Sequence, residues 1–180
     1  MLLETERLIL RPIEETDVSA LFPLINDADV ARDMMSVPHP YPEEEYAPWI
    51  RQAREKMERR EQFDMAIVLK ETGLPIGSCG IMNISWDHMR GEIGYWLGKP
   101  YWGRGYMTDA ARRMIEFGFH ELGFERIHAY CFTRNGASAR VLEKVGLMRE
   151  GHIRHAIKKA DGFHDLYLYG IIREEFAAKP

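Results

Sequence analysis

Along the chain, the spacing of apolar residues changes register several times, and each change marks an element. Arginines bracket a short apolar run at residues 7–11, and Pro12 closes it, which predicts a first strand. Val18, Leu21, Phe22 and Ile25 then recur at helical intervals, with Asp17 placed as the N-cap. A loop rich in proline and aromatics, residues 37–42, precedes a second helix. That helix opens on Glu43, Glu44 and Glu45, where acids suit the positive end of the dipole, and runs to about Arg60. Strand-like runs follow at 63–70, 75–84 and 91–97, with a turn at Glu71-Thr72-Gly73. Ala111, Met114, Ile115, Gly118 and Leu122 form one stripe of a helix from about 104 to 122. Residues 126–133 read as another strand. Asn135 caps a short helix carrying Ala139, Leu142 and Val145, which Gly146 stops. The last strand-like runs are 147–157 and 163–172.

The resulting order, β-α-α-β-β-β-α-β-α-β-β, predicts a mixed α/β sheet. Consecutive strands imply hairpins, and the strand–helix–strand passage at 91–133 implies one parallel pairing. No repeat, low-complexity tract or Gly/Ser-rich linker divides the chain, so residues 1–180 are expected to form one domain.

Composition narrows the function classes. The net charge of -4 and pI near 6.0 supply no basic field for nucleic acid. Residues 1–11 are charged every few positions and lack the apolar core of an export signal, and no apolar run has the length of a membrane span. Cys79 and Cys131, both inside apolar runs, suit buried free thiols in a reducing compartment, and the expected location is cytoplasmic. His152 and His155, three apart on a strand, are expected to point to opposite faces, so no metal site is predicted.

The stretch Tyr101-Trp102-Gly103-Arg104-Gly105-Tyr106-Met107-Thr108 joins a strand to a helix. Glycines at such a turn either make a tight corner or clear the backbone amides for an anion. A P-loop needs a lysine after the glycines, and none is present. A dinucleotide fingerprint needs a third glycine and an acid after the next strand. Thr108 and the segment Phe132-Thr133-Arg134-Asn135 supply neither. The pyrophosphate turn of a coenzyme A enzyme is the phosphate reading that survives.

Glu92-Ile93-Gly94-Tyr95-Trp96-Leu97, the glycine turn, and the downstream run from Asn135-Gly136-Ala137-Ser138 to Gly146-Leu147 together resemble the two acetyl-CoA motifs of the GNAT superfamily of N-acyltransferases. The wording is most similar to the branch typified by ribosomal-protein N-terminal acetyltransferases, and the likeness extends to Glu4–Arg11 and Asp165-Leu166-Tyr167. Trp102 and Met107 depart from the general pattern Q/R-x-x-G-x-G/A, which touches a side-chain contact and leaves the amide cradle intact.

The resemblance implies a GNAT-like fold: a central twisted, mostly antiparallel sheet of about seven strands, helices on both faces, and a splayed parallel pair holding acetyl-CoA. It implies that Tyr95, Trp96 and Leu97 offer backbone to pantetheine, and that the amides around Trp102, Gly103, Arg104, Gly105, Tyr106, Met107 and Thr108 bind pyrophosphate. Asn135 and Ser138 are implied as cofactor contacts, with Ser138 as a candidate acid for the leaving thiolate; Glu92 is the candidate base. For Glu92 the alternative is a structural ion pair with Arg90 or another arginine. No metal is implied. The strand after the second motif offers His155 and Lys158 but no carboxylate, and His155 or His164 stands as a substitute base. Asp165 and an aromatic lip of Tyr41, Tyr46 and Trp49 are candidates for contact with the acceptor. The acceptor is a primary amine, either a protein N-terminus or a small molecule such as an amino sugar, amino acid or polyamine. A silent acetyl-CoA-binding module is the non-enzyme alternative, and either a monomer or a homodimer fits.

Overall fold

In the computed structural model, which describes residues 1–177, the strands are β1 (Leu3–Glu4), β2 (Leu8–Pro12), β3 (Phe63–Leu69), β4 (Pro75–Ser85), β5 (Arg90–Leu97), β6 (Arg126–Phe132), β7 (Met148–Lys159) and β8 (Gly162–Ile172). The helices are α1 (Val18–Ile25), α2 (Ala28–Arg32), α3 (Glu43–Glu58), α4 (Tyr106–His120), α5 (Gly136–Lys144) and α6 (Arg173–Ala177). The eight strands make one sheet ordered β1-β2-β3-β4-β5-β6-β8-β7. Every pairing is antiparallel except that of β5 with β6, which α4 connects. Among the described residues, no helix is long and apolar enough to cross a membrane.

The side-chain alternation of β5 and β6 assigns the two faces of the sheet. Ile93, Leu97, Ile127, Ala129 and Cys131 pack into a core with Ala111, Met114 and Ile115 of α4 and Leu142 of α5. Trp96 lies in a second core with Leu21 and Ile25 of α1 and Tyr46, Ile50 and Ala53 of α3. Because strand side chains alternate, Glu92 and Gly94 share the second face with Trp96, and His128 and Tyr130 point the same way from β6. Central β3 is buried along its whole length, as expected of a strand covered on both faces.

Several expectations change. The sheet has eight strands because two residues, Leu3 and Glu4, add an edge to β2; the pairing is too short to leave an alternating pattern. Helices α2 and α6, each of five residues, are likewise too short for periodicity to show. Asp17 does not cap α1. It ends a 3-10 turn, accepts from the Glu14 amide at 2.9 Å, and takes both terminal nitrogens of Arg11 at 2.8 and 2.6 Å. Helix α4 starts at Tyr106 rather than Arg104, since Gly105 at φ 80° breaks the helical path. Tyr46 is no part of a lip: it is wholly buried, stacked on Trp49 and packed against Phe22 and Tyr41.

A Cβ at Gly77 would stand 2.4 Å from the carbonyl oxygen of Trp96 and 2.9 Å from the Leu97 Cα, both backbone atoms of β5 that cannot rotate away. Gly77→Ala is therefore expected to destabilise the fold by about 1–3 kcal/mol, read as a lower urea midpoint.

Candidate active site

β5 and β6 pair at only three positions, Arg90↔Arg126, Gly91↔Ile127 and Glu92↔His128. Beyond them β5 stays with β4 as far as Leu97, while β6 stays with β8 as far as Phe132. Residues 93–97 and 129–132 thus border an opening in the middle of the sheet, each with one backbone edge that no strand among the described residues satisfies. Main-chain donors and acceptors in that situation need another partner. An extended ligand bearing amides of its own fits such a fork, and pantetheine is one.

At the wide end of the fork, β5 leads through a 3-10 turn (Lys99–Tyr101) into the glycine loop. Gly103 and Gly105 adopt φ of 74° and 80°, conformations that side chains disfavour, and space above Gly103 is clear for 4 Å. No side chain caps α4, and its first used amide is that of Asp109, which bonds the Gly105 carbonyl at 3.1 Å. Among the described residues, the amides of Tyr106, Met107 and Thr108 therefore have no partner at the positive end of the helix dipole. Two anchors hold the loop. The Trp102 indole donates to the Leu97 carbonyl at 2.7 Å. Arg7 donates to the Arg104 carbonyl at 2.9 Å and to Asp109 at 3.1 and 2.6 Å, with its guanidinium over the Tyr106 ring. Arg7 lies 97 residues from Arg104, so no local signal marks it. The Arg104 side chain is exposed, Thr108 is half-buried, and Met107 faces the core, so only its backbone is available to a ligand. The same holds for Trp96 and Leu97, whose side chains are buried.

On the α4–α5 face, the Asn135 side chain accepts from the Ser138 amide at 3.0 Å and so caps α5 as expected. The Ser138 hydroxyl is hydrogen-bonded to the Tyr95 hydroxyl at 3.1 Å, across the open fork. Burial pushes the Tyr95 phenol up, opposed by its bond to Ser138, so it stays protonated at neutral pH. The two hydroxyls are thus joined by one hydrogen bond, and the resemblance marks Ser138 alone of the two as a candidate acid.

On the opposite face stand the groups that can take a proton. Glu92 is not paired with an arginine; its Oε2 accepts from the Asn83 amide at 2.8 Å, and Asn83 reaches it from a β4 bulge at φ 50°. Burial raises the Glu92 carboxyl above its ordinary range, with the Asn83 bond working against it. His128 Nε2 lies 3.8 Å from the same Glu92 oxygen. Two residues along β5, Gly94 is aligned through Gly80 of β4 with Asp64 of β3. Asp64 is 4% exposed and leans over Gly80, where a Cβ would come within 3.0 Å of its Oδ1. Its Oδ2 accepts from Gln62 at 2.7 Å. The sequence gives no hint of Asp64 or His128 because each is an isolated polar residue in an apolar strand.

The remaining candidates fall elsewhere. Bulges in β7 carry both His152 and His155 to one face of the hairpin: His155 stacks on Phe163, and His152 packs on Tyr167. The opposite-face expectation fails because His155, at φ 50°, breaks the alternation. Asp165, between those rings, accepts from His152 at 2.8 Å and from the His155 amide at 2.8 Å, so its oxygens serve the hairpin. His164 bonds Arg134 and Asp161. Arg134 in turn reaches Asp33 and the Arg32 carbonyl, and Lys159 reaches the carbonyls of Ala31 and Met34, which fastens the segment after α2 to the hairpin tip. Cys79 and Cys131 are buried free thiols, and burial lifts Cys131 to about 11.

Comparison with known proteins accords with this geometry. Residues 7–148 match the Acetyltransferase (GNAT) domain, and the chain belongs to this family. It is 30% identical to the uncharacterized N-acetyltransferase p20 of Bacillus licheniformis, covering 97% of this chain and 98% of that one. The crystal structure of ribosomal-protein-S5-alanine acetyltransferase from Vibrio fischeri superposes with a TM-score of 0.87 at 25% identity, covering 100% of both chains. RimL, a ribosomal L7/L12 alpha-N-protein acetyltransferase solved with coenzyme A, shares the fold with a TM-score of 0.87 over 96% of this chain and 98% of its own, at 21% identity. The chain is an acetyl-CoA-dependent N-acetyltransferase.

Asp64 has a consequence for stability. Burial lifts its carboxyl from an ordinary 3.8 to about 6, against the Gln62 hydrogen bond. A raised folded-state value means that the unfolded chain ionises first, so folding is penalised above about pH 6 and the penalty vanishes below about pH 4. Asp64→Asn is expected to gain about 2–3 kcal/mol at pH 8 and nothing at pH 3.5, measured by denaturant unfolding at both values.

Proposed function

We propose that the enzyme acetylates the α-amine of a protein or peptide by direct attack on acetyl-CoA in a ternary complex. The parting of β5 and β6 after three residue pairs carries this reading, because it joins the two faces of the sheet at one point. Pantetheine would lie along residues 95–97 with the pyrophosphate on the amides of 103–108. The thioester would then reach the fork with an amide of β5 polarising its carbonyl. Tyr95 and Ser138 border it on the α4–α5 face, where the thiolate leaves, and Glu92 borders it on the other, where the amine arrives. A donor on one face and a base on the other is the arrangement that amine acetylation requires. The acceptor class is supported by end-to-end similarity to a ribosomal-protein-S5-alanine acetyltransferase.

The deciding experiment is thiol release from acetyl-CoA with a panel of peptides of varied N-terminal residue, amino sugars, amino acids and polyamines, with acetyl placement by mass spectrometry. Acetylation at a peptide α-amine is expected. Turnover confined to small amines overturns the acceptor assignment, and tight acetyl-CoA binding with no turnover makes the protein a binding module.

If Tyr95 and Ser138 act as one donor, Tyr95→Phe is expected to lower kcat by about 100-fold and Ser138→Ala by about 10-fold. The double substitution should cost no more than Tyr95→Phe alone. Full additivity in steady-state kinetics would show that the hydroxyls work separately.

A further inference from the structure

We propose that His128 and Glu92 form a paired acceptor that receives the nitrogen of the incoming amine between them, with His128 taking its proton. This rests on the acyl-transfer reading and adds to it a residue that neither the motifs nor the resemblance marks.

The pair occupies the apex of the fork. Glu92↔His128 is the last register position that β5 and β6 share, and both side chains project to the face opposite Tyr95 and Ser138. His128 Nε2 and Glu92 Oε2 are 3.8 Å apart, too far for a direct hydrogen bond. Each can instead accept from one small donor placed about 2.8 Å from both. A protonated amine is such a donor, and its positive charge suits the carboxylate.

The imidazole is set up to be the proton's destination. Its side chain is 12% exposed, and Nδ1 is buried without a hydrogen-bond partner among the described residues, so Nε2 is the nitrogen left to meet the amine. The groups facing the ring are Arg90 and Glu92 of β5, Arg126 and Tyr130 of its own strand, and Glu150 of β7; Gly170 of β8 opposes it without a side chain. Burial, then Arg126 and Arg90, hold the ring neutral at neutral pH, against the Gly91 carbonyl and Glu150. Arg126 is engaged by Glu150, which leaves Glu92 as the carboxylate next to Nε2.

In the step, one N–H bond of the ammonium breaks and its proton goes to Nε2, where Glu92 stabilises the imidazolium. The freed lone pair forms the C–N bond at the thioester carbonyl, and the C–S bond breaks. The second nitrogen proton reaches the thiolate through the Ser138 and Tyr95 hydroxyls, giving amide and free thiol. The imidazolium returns its proton to water.

Two measurements test the pair in the full-length protein. The first is NMR titration of the His128 imidazole, assigned by its loss in His128→Gln. Glu92→Gln is expected to lower its midpoint by about half a pH unit or more, since a neighbouring negative charge is removed. An unshifted midpoint overturns the pairing whether or not any amine is acetylated. The second is kcat/KM against pH with the best peptide of the panel. His128→Gln is expected to lose about 100-fold near neutrality and to rise steadily with pH where the wild type levels off, with coenzyme A affinity by calorimetry unchanged. A profile that superimposes on the wild type overturns His128 as proton acceptor. An intact NMR coupling together with no acetylation of any amine overturns the acyl-transfer reading instead.

Discussion

Backbone hydrogen-bonding groups inside a sheet have to be satisfied, and the point where β5 leaves β6 is where the sheet stops satisfying its own. Every other strand pair runs with its partner for most of the shorter strand's length. Here pairing ends after three positions while both strands continue, each held on its far side by an antiparallel neighbour. Each half of the sheet is hydrogen-bonded within itself, and the opening between them is part of the fold. A ligand that supplies amides and carbonyls along its length would complete the ladder there, so a site at the fork is framed by main chain.

That division governs the electrostatics. The N-terminus of α4 offers uncapped helix amides beside the exposed Arg104, where partial charges are fixed. Around the fork, burial raises Glu92 and Tyr95 and lowers His128. Neutral forms are favoured there, which suits a step that starts from an ammonium and ends with an amide and a thiol.

The glycine turn and the start of α5 were legible because their features are local. Glycines at positive φ, the Asn135 cap and the strand–helix–strand passage are features of neighbouring residues, and the motifs built from them are contiguous. What escaped the sequence is what pairing creates. Arg7 meets Asp109 and the Arg104 carbonyl only because β2 and α4 come together in the fold. His128 faces Glu92 through a parallel register that nothing in either strand encodes alone. Asp64 and the glycines beside it form a row across three strands, and a row of that kind has no trace along the chain. Asp17 and Tyr46 misled for the opposite reason: each has a strong local meaning, as cap and as surface aromatic, which a distant or buried partner overrode.

The alternation of β5 has a consequence for how such an enzyme can change. Odd positions, Ile93, Tyr95 and Leu97, face α4 and α5, while Glu92, Gly94 and Trp96 face the side of the sheet covered by α1 and α3. A substitution on one face leaves the side chains of the other face in place. Insertion or deletion of one residue would exchange the two sets at a stroke. A change in length therefore reaches both faces of the strand at once, whereas a replacement reaches only one.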